Sequence, residues 1–64
     1  MYRSFVKYDP NQTGIVVIEH LDKTLQENGI FLKKYELQAL QKGLNIDGNV
    51  NWFGFMSVLR EPMN

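Results

Sequence analysis

Few residues in this chain carry the chemistry of catalysis or of soft-metal binding. Among 64 residues there is one histidine, His20, no cysteine, and only two serines, Ser4 and Ser57. With no thiolate and no second imidazole, His20 lacks the companions of a zinc-type site. With no placed nucleophile it has nothing to activate, so it reads as a helix-surface or helix-start residue and an enzyme is not expected. The charged side chains are equally unspecialised. Seven Lys and Arg balance seven Asp and Glu, which leaves no net basic stripe for phosphates, and nucleic acid is not expected as a partner. The one basic pair, Lys33-Lys34, reads as the solvated start of a helix. Asn11-Gln12-Thr13 fits the glycosylation pattern, and without a secretory signal it reads as chance.

What must position any functional surface is a small apolar core. The chain is near the lower size limit for folding around one core, so residues 1–64 form one domain at most. Apolar residues make up 44% of it, with one Trp, three Tyr and four Phe. No run of about twenty apolar residues exists, so no membrane span is expected. The start, Met1-Tyr2-Arg3-Ser4-Phe5, lacks the apolar stretch of a signal peptide. A cytoplasmic location is the expectation.

Four short helical patterns follow one another. The first runs from Tyr2 to Tyr8 and is stopped by Asp9-Pro10-Asn11. A second begins near Ile18, aligns Ile18, Leu21 and Leu25, and ends at Asn28-Gly29, where Gly supplies a left-handed cap. The third, from about Lys33 to Leu44, carries Leu37, Leu40 and Leu44. Trp52, Phe55, Met56 and Leu59 fall at i, i+3, i+4 and i+7 in the fourth, and Pro62 forbids its extension. Thr13-Gly14-Ile15-Val16-Val17 separates the first two, and Asp47-Gly48-Asn49-Val50-Asn51 separates the last two. Each half therefore reads helix, Gly turn, short extended piece, helix, which is an internal duplication.

On the segment Phe5-Val6-Lys7-Tyr8-Asp9-Pro10-Asn11-Gln12-Thr13-Gly14-Ile15-Val16, the chain resembles the EF-hand superfamily, in the style of calmodulin and the myosin light chains. That family's twelve-residue loop presents oxygen ligands at positions 1, 3, 5, 7, 9 and 12, with Gly at position 6 and a bidentate Glu at 12. The resemblance implies Asp9 at position 1, Asn11 at 3, Thr13 at 5, Gly14 at 6 and Val16 at 8. It also implies damage, because position 9 is Val17 and position 12 is His20, whose imidazole cannot supply two carboxylate oxygens to a hard ion. Asp9 and Glu19 belong to this loop pattern and do not read as an acid/base pair. In the second half Gly48 at position 6 puts Val50 at 8 and Gly54, without a ligand, at 12. The Leu37, Leu40, Leu44 spacing makes Asn45 the first loop residue, so this loop is short by two and offers Asn45 and Asp47 alone. Calcium binding is expected to be absent or weak, with both loops vestigial and no cofactor.

The fold the resemblance implies is all-α: paired EF-hands, four short helices, with a minimal two-stranded β-bridge near Val16 and Val50. Hand 1 would span about 1–28 and hand 2 about 32–62. Phe5, Val16, Leu21, Val50 and Phe55 take the inward positions. Trp52, Met56, Leu59, Met63, Ile30, Phe31 and Leu32 are left as apolar surplus, which suits a groove that accepts helices, with dimer burial as the plainer alternative.

The function so implied is calcium-independent capture of an amphipathic helix through apolar anchors at i, i+3, i+4 and i+7. The leading expectation is a small light chain on an IQ motif in the neck of an unconventional myosin. Leu21, Leu25, Ile30, Phe31, Leu32, Trp52, Phe55, Met56, Leu59 and Met63 would line the groove, and Glu19, Asp22 and Glu27 would meet the arginines of the helix. Two rivals stand beside it. One is a weak calcium sensor using the first loop. The other is a regulatory EF-hand fragment of a larger cytoskeletal or signalling protein, since Met1 sits close ahead of Asp9.

Overall fold

A computed structural model of the chain describes residues 1–60; Pro62 and Met63, on which the helix stop and one groove position were expected, lie outside the described residues. The elements in order are α1 (Tyr2–Tyr8), β1 (Ile15–Val16), α2 (Ile18–Glu27), α3 (Lys34–Gly43), β2 (Asn45–Ile46), β3 (Asn49–Asn51) and α4 (Trp52–Leu59). Local chemistry sets their limits. Pro10 disfavours helical backbone at the residue before it, and Asp9 leaves the helix at φ −140°, ψ 68°. At the end of α2 the N–H of Gly29 donates to Gln26 O at 3.0 Å and that of Ile30 to Leu25 O at 2.8 Å. This is the paired Schellman pattern, which requires the left-handed φ of +79° that Gly29 adopts. Helix α3 opens with the Lys33 N–H donating to Glu36 Oε1 at 2.8 Å. Helix α4 opens on Asn51, whose Oδ1 accepts the Gly54 N–H at 3.0 Å, a side-chain cap of the first turn.

The fold is mostly α, with a small antiparallel sheet ordered β1-β3-β2. Val16 pairs with Val50, where the resemblance implied a bridge, and Ile15 pairs with Asn51. The expected two-stranded bridge is corrected to three strands, because Asn45 and Ile46 fold back on Val50 and Asn49. Asp47 and Gly48 connect β2 to β3 with φ values of +51° and +85°. Positive φ at both central residues is the demand of a two-residue hairpin turn whose twist matches the strands, and Asp-Gly meets it well.

Eight side chains form the core: Phe5, Val16, Leu21, Leu25, Val50, Trp52, Phe55 and Met56. Trp52 lies at its centre, with its ring stacked on Phe5 at 4.9 Å and 10°. Tyr2 and Phe53 pack against the same indole with centroids at 5.9 and 4.6 Å. Helices α1 and α2 supply Phe5, Leu21 and Leu25, whereas α3 has no buried residue. Its Leu37, Leu40 and Leu44 are only partly covered against the core. One wall of the fold is thus much less enclosed than the others.

Candidate functional site

The first loop is built around Asp9, which is 6% exposed. Its Oδ1 accepts the Thr13 N–H at 3.1 Å and the Thr13 hydroxyl at 3.0 Å. Its Oδ2 accepts the Gly14 N–H at 2.9 Å and the indole Nε1–H of Trp52 at 2.7 Å. An ionised carboxylate has about four lone-pair sites, so every one is engaged by a donor of the protein itself. Burial pushes the Asp9 carboxyl up, but the indole, the two N–H groups and the hydroxyl outweigh it, and the group titrates below the usual carboxylate range. Asn11 and Thr13 are exposed, and Gln12 adopts φ +50° with its amide oxygen accepting the Tyr2 hydroxyl at 2.6 Å. Gly14, at φ +88°, lies under the Phe53 ring, where a Cβ would come within 2.7 Å of it. The loop is held shut by backbone, indole and hydroxyl donors.

The second loop uses different chemistry. Asn45 Oδ1 accepts the Gly48 N–H at 2.9 Å across the hairpin turn, and Asp47 is exposed at its tip. Asn45 and Asp47 thus serve a β-turn and do not converge on a common point. Among the described residues no group of three or more His, Cys, Asp and Glu side chains is placed to hold a metal ion. A calcium cage takes six to eight oxygens, and in loop 1 both oxygens of Asp9 already accept hydrogen bonds from the chain itself. His20 stacks on Tyr8 with centroids 4.4 Å apart.

The groove residues named from the sequence divide in two. Leu21, Leu25, Trp52, Phe55 and Met56 are 0–5% exposed and belong to the core, so the stripe of α4 mostly faces inward. Leu21 and Phe55 lie inward as expected, whereas Trp52 and Met56, expected as surplus, belong to the core, with Trp52 stacked on Phe5. A partner would touch most of them only if helices parted. Ile30, Phe31 and Leu59 are 37%, 74% and 44% exposed. Leu32 is half-buried.

An open apolar groove does exist, between α3 and α4, with a volume of about 330 Å³. Helix α3 contributes Ala39, Leu40 and Gly43, with its C-cap Leu44 as a fourth residue, and α4 contributes Phe55, Val58 and Leu59. Of the residues expected from the sequence, Phe55 and Leu59 line it. Ala39, Leu40, Gly43, Leu44 and the 74%-exposed Val58 were missed. The Leu37, Leu40, Leu44 stripe was the signal for the α3 wall, but periodicity does not tell a fully buried face from a half-covered one. A second recess of about 230 Å³ between α2 and α3 is lined by Ile18, Glu19, Asp22, Lys34 and Leu37, with Gln38 and Gln41. Glu27 is drawn off to α1, where its carboxylate accepts from Lys7 at 2.9 Å and from the Tyr8 hydroxyl at 3.0 Å. That contact raises the Lys7 pKa and lowers that of Glu27.

No described helix is long and apolar enough to cross a membrane. Comparison with family models, with curated proteins and with solved structures finds no match.

Proposed function

We propose that this chain is a calcium-independent helix-binding lobe, a degenerate relative of the paired EF-hands, that takes the apolar face of an amphipathic helix into the groove between α3 and α4. The observation that carries this reading is the composition of the groove: among the described residues seven line it, none of them ionisable, with Leu40, Leu44, Phe55 and Leu59 supplying large apolar contacts. A helix presenting anchors at i, i+3, i+4 and i+7 has a complementary ridge. Small residues at Ala39 and Gly43 leave room for it to approach α3. The saturated carboxylate of Asp9 supports the calcium-independent part, since a cation would have to displace donors already in place.

An IQ-type helix in the neck of an unconventional myosin is the instance that the resemblance implies. Of the acidic residues expected to meet its arginines, Glu19 and Asp22 line the separate recess between α2 and α3 and Glu27 is paired with Lys7, so apolar contacts in the groove carry the binding. Calorimetric titration with an IQ-type helical peptide, in chelator and again in excess calcium, tests the proposal. Binding of equal strength in both conditions supports it. Binding that needs calcium contradicts the account of loop 1, and no binding in either condition removes helix capture.

A further inference from the structure

We infer that the turn from α2 into α3 docks on an anionic lipid bilayer, inserting Phe31 at the level of the headgroups beside Lys33 and Lys34. Ile30, Phe31 and Tyr35 are 37%, 74% and 65% exposed. Phe31 and Tyr35 are the two exposed aromatic residues among the described ones, every other Phe, Tyr and Trp being buried or half-buried, and both fall within five positions. Ile30 and Phe31 were expected in the helix-binding groove, yet they line neither that groove nor the recess between α2 and α3. The backbone that carries them is fixed at both ends. The Schellman pattern at Gly29 and Ile30 sets its start, Leu32 packs against the core, and the Lys33 N–H donates to Glu36 at its end. The apolar side chains are therefore presented on an ordered turn, which loses little freedom on docking.

Charge names the occupant. Lys33 and Lys34 lie within the same stretch, both exposed, and among the described residues neither forms an ion pair. Glu36 turns its carboxylate back to accept the Lys33 N–H at 2.8 Å, and Glu27 is held by Lys7. Lys34 borders the recess that contains Glu19 and Asp22 without pairing to either. Lys33 Nζ lies 6.0 Å from the centre of the Tyr35 ring, so cation and aromatic share one site. Aromatic rings settle at the headgroup level of a bilayer, and lysines beside them extend to the phosphates while their stems cover apolar surface. Reversible docking of this kind takes an apolar insertion together with basic charge, and this turn carries both. Phe31 also projects, which suits a deformable interface, whereas an anchor in a protein partner needs a pocket shaped to receive it. The stretch ends at Tyr35 and the helix-binding groove begins at Ala39, so the two surfaces are separate.

Co-sedimentation with vesicles is the test, using phosphatidylcholine alone and phosphatidylcholine with about 30% phosphatidylserine. The chain should partition onto the anionic vesicles, stay in solution with the neutral ones, and be released as salt is raised to about 0.5 M. Lys33→Gln with Lys34→Gln should lower the partitioning about 25-fold, near fivefold for each charge lost. Phe31→Ser should lower it about tenfold by removing the inserted ring. All three positions are exposed, so helical circular dichroism should be unchanged in these variants. Val17→Ser, at an exposed apolar position at the other end of α2, should partition as the unaltered chain does. Absence from the anionic vesicles overturns the inference, as does equal partitioning onto neutral ones or partitioning that the Lys and Phe31 variants leave intact. Binding to polyglutamate but not to vesicles overturns it too, and assigns the lysines to an acidic protein.

Discussion

Replacing Asp9 by Asn probes the chemistry that closes the first loop. The side chain keeps its shape but loses its charge and half its acceptors. If the amide oxygen takes the place of Oδ2, it still accepts from the Gly14 N–H and from Trp52 Nε1. The amide nitrogen then faces Thr13, whose hydroxyl can turn to accept but whose N–H loses its acceptor. One hydrogen bond to a charged group disappears, at about 1.5–3 kcal/mol, and the remainder weaken as they become neutral. The loss should be about 2–3 kcal/mol, a large part of the roughly 3–10 kcal/mol expected for a chain of this length. Urea unfolding at pH 7, followed by far-ultraviolet circular dichroism and by the fluorescence of the single Trp, measures it. The pH dependence is a second check. Because the folded-state pKa of Asp9 lies below its ordinary value of 3.8, its contribution is complete above that value and is lost as pH falls through the folded pKa. The gap between wild type and variant should therefore be constant from neutrality down to about pH 5 and close in stronger acid. A difference under about 0.5 kcal/mol at pH 7, the ordinary effect of a surface substitution, would refute the assignment of Asp9 as the tie between loop 1 and α4.

Gly14→Ala and Gly48→Ala both place a side chain at positive φ, at +88° and +85°. The second meets only open space and should cost about 1–2 kcal/mol for its backbone. The first also forces a Cβ to 2.7 Å from the Phe53 ring, so its thermal midpoint should fall clearly further. Thr24 is fully buried and its hydroxyl has no hydrogen-bond partner. Thr24→Val should leave stability unchanged or raise it by about 1 kcal/mol in urea unfolding, and a loss would show that the hydroxyl is satisfied. Calcium at 1 mM should raise the melting midpoint by no more than about 3 °C over chelator, the linkage limit for a site of millimolar affinity or weaker. A larger rise would mean that Asp9 releases its donors to the ion.

Much of the helical framework was legible because local signals coincide with its limits. Tyr2–Tyr8 ends where Pro10 acts on Asp9, and α2 ends where Gly29 can adopt positive φ. The expected Lys33–Leu44 helix is Lys34–Gly43, with one residue trimmed at each end. The hairpin between Asn45 and Asn51 has its strongest local signal in Asp47-Gly48, but the same Gly also fits the Gly turn of the first half, so the repeat masks it. The inward placement of Trp52 was not legible in the α4 stripe. Its partner is Asp9, 43 residues away, and no local periodicity encodes a hydrogen bond of that range.

The two halves meet the same requirement with unlike chemistry, and the position of the groove follows from that difference. In the first half a single carboxylate gathers the donors of Thr13 and Gly14 and reaches across to Trp52, so the two ends of the loop, Asp9 and Gly14, are tied to the core while Pro10 to Thr13 stay exposed. In the second half a two-residue turn closes on itself through Asn45 and Gly48 and spends nothing on the core. Helix α3 has no fully buried side chain: Leu37 lies toward Ile18 of α2, and Leu40, with Leu44 just past the helix end, lies toward α4. Trp52 holds the start of α4 firmly, through its indole on Asp9 and its N–H on Gly14 O at 3.0 Å, while Val58 and Leu59 at the far end stay uncovered. Among the described residues, apolar surface is therefore left exposed at the far end of α4, beside a helix that contributes nothing fully buried.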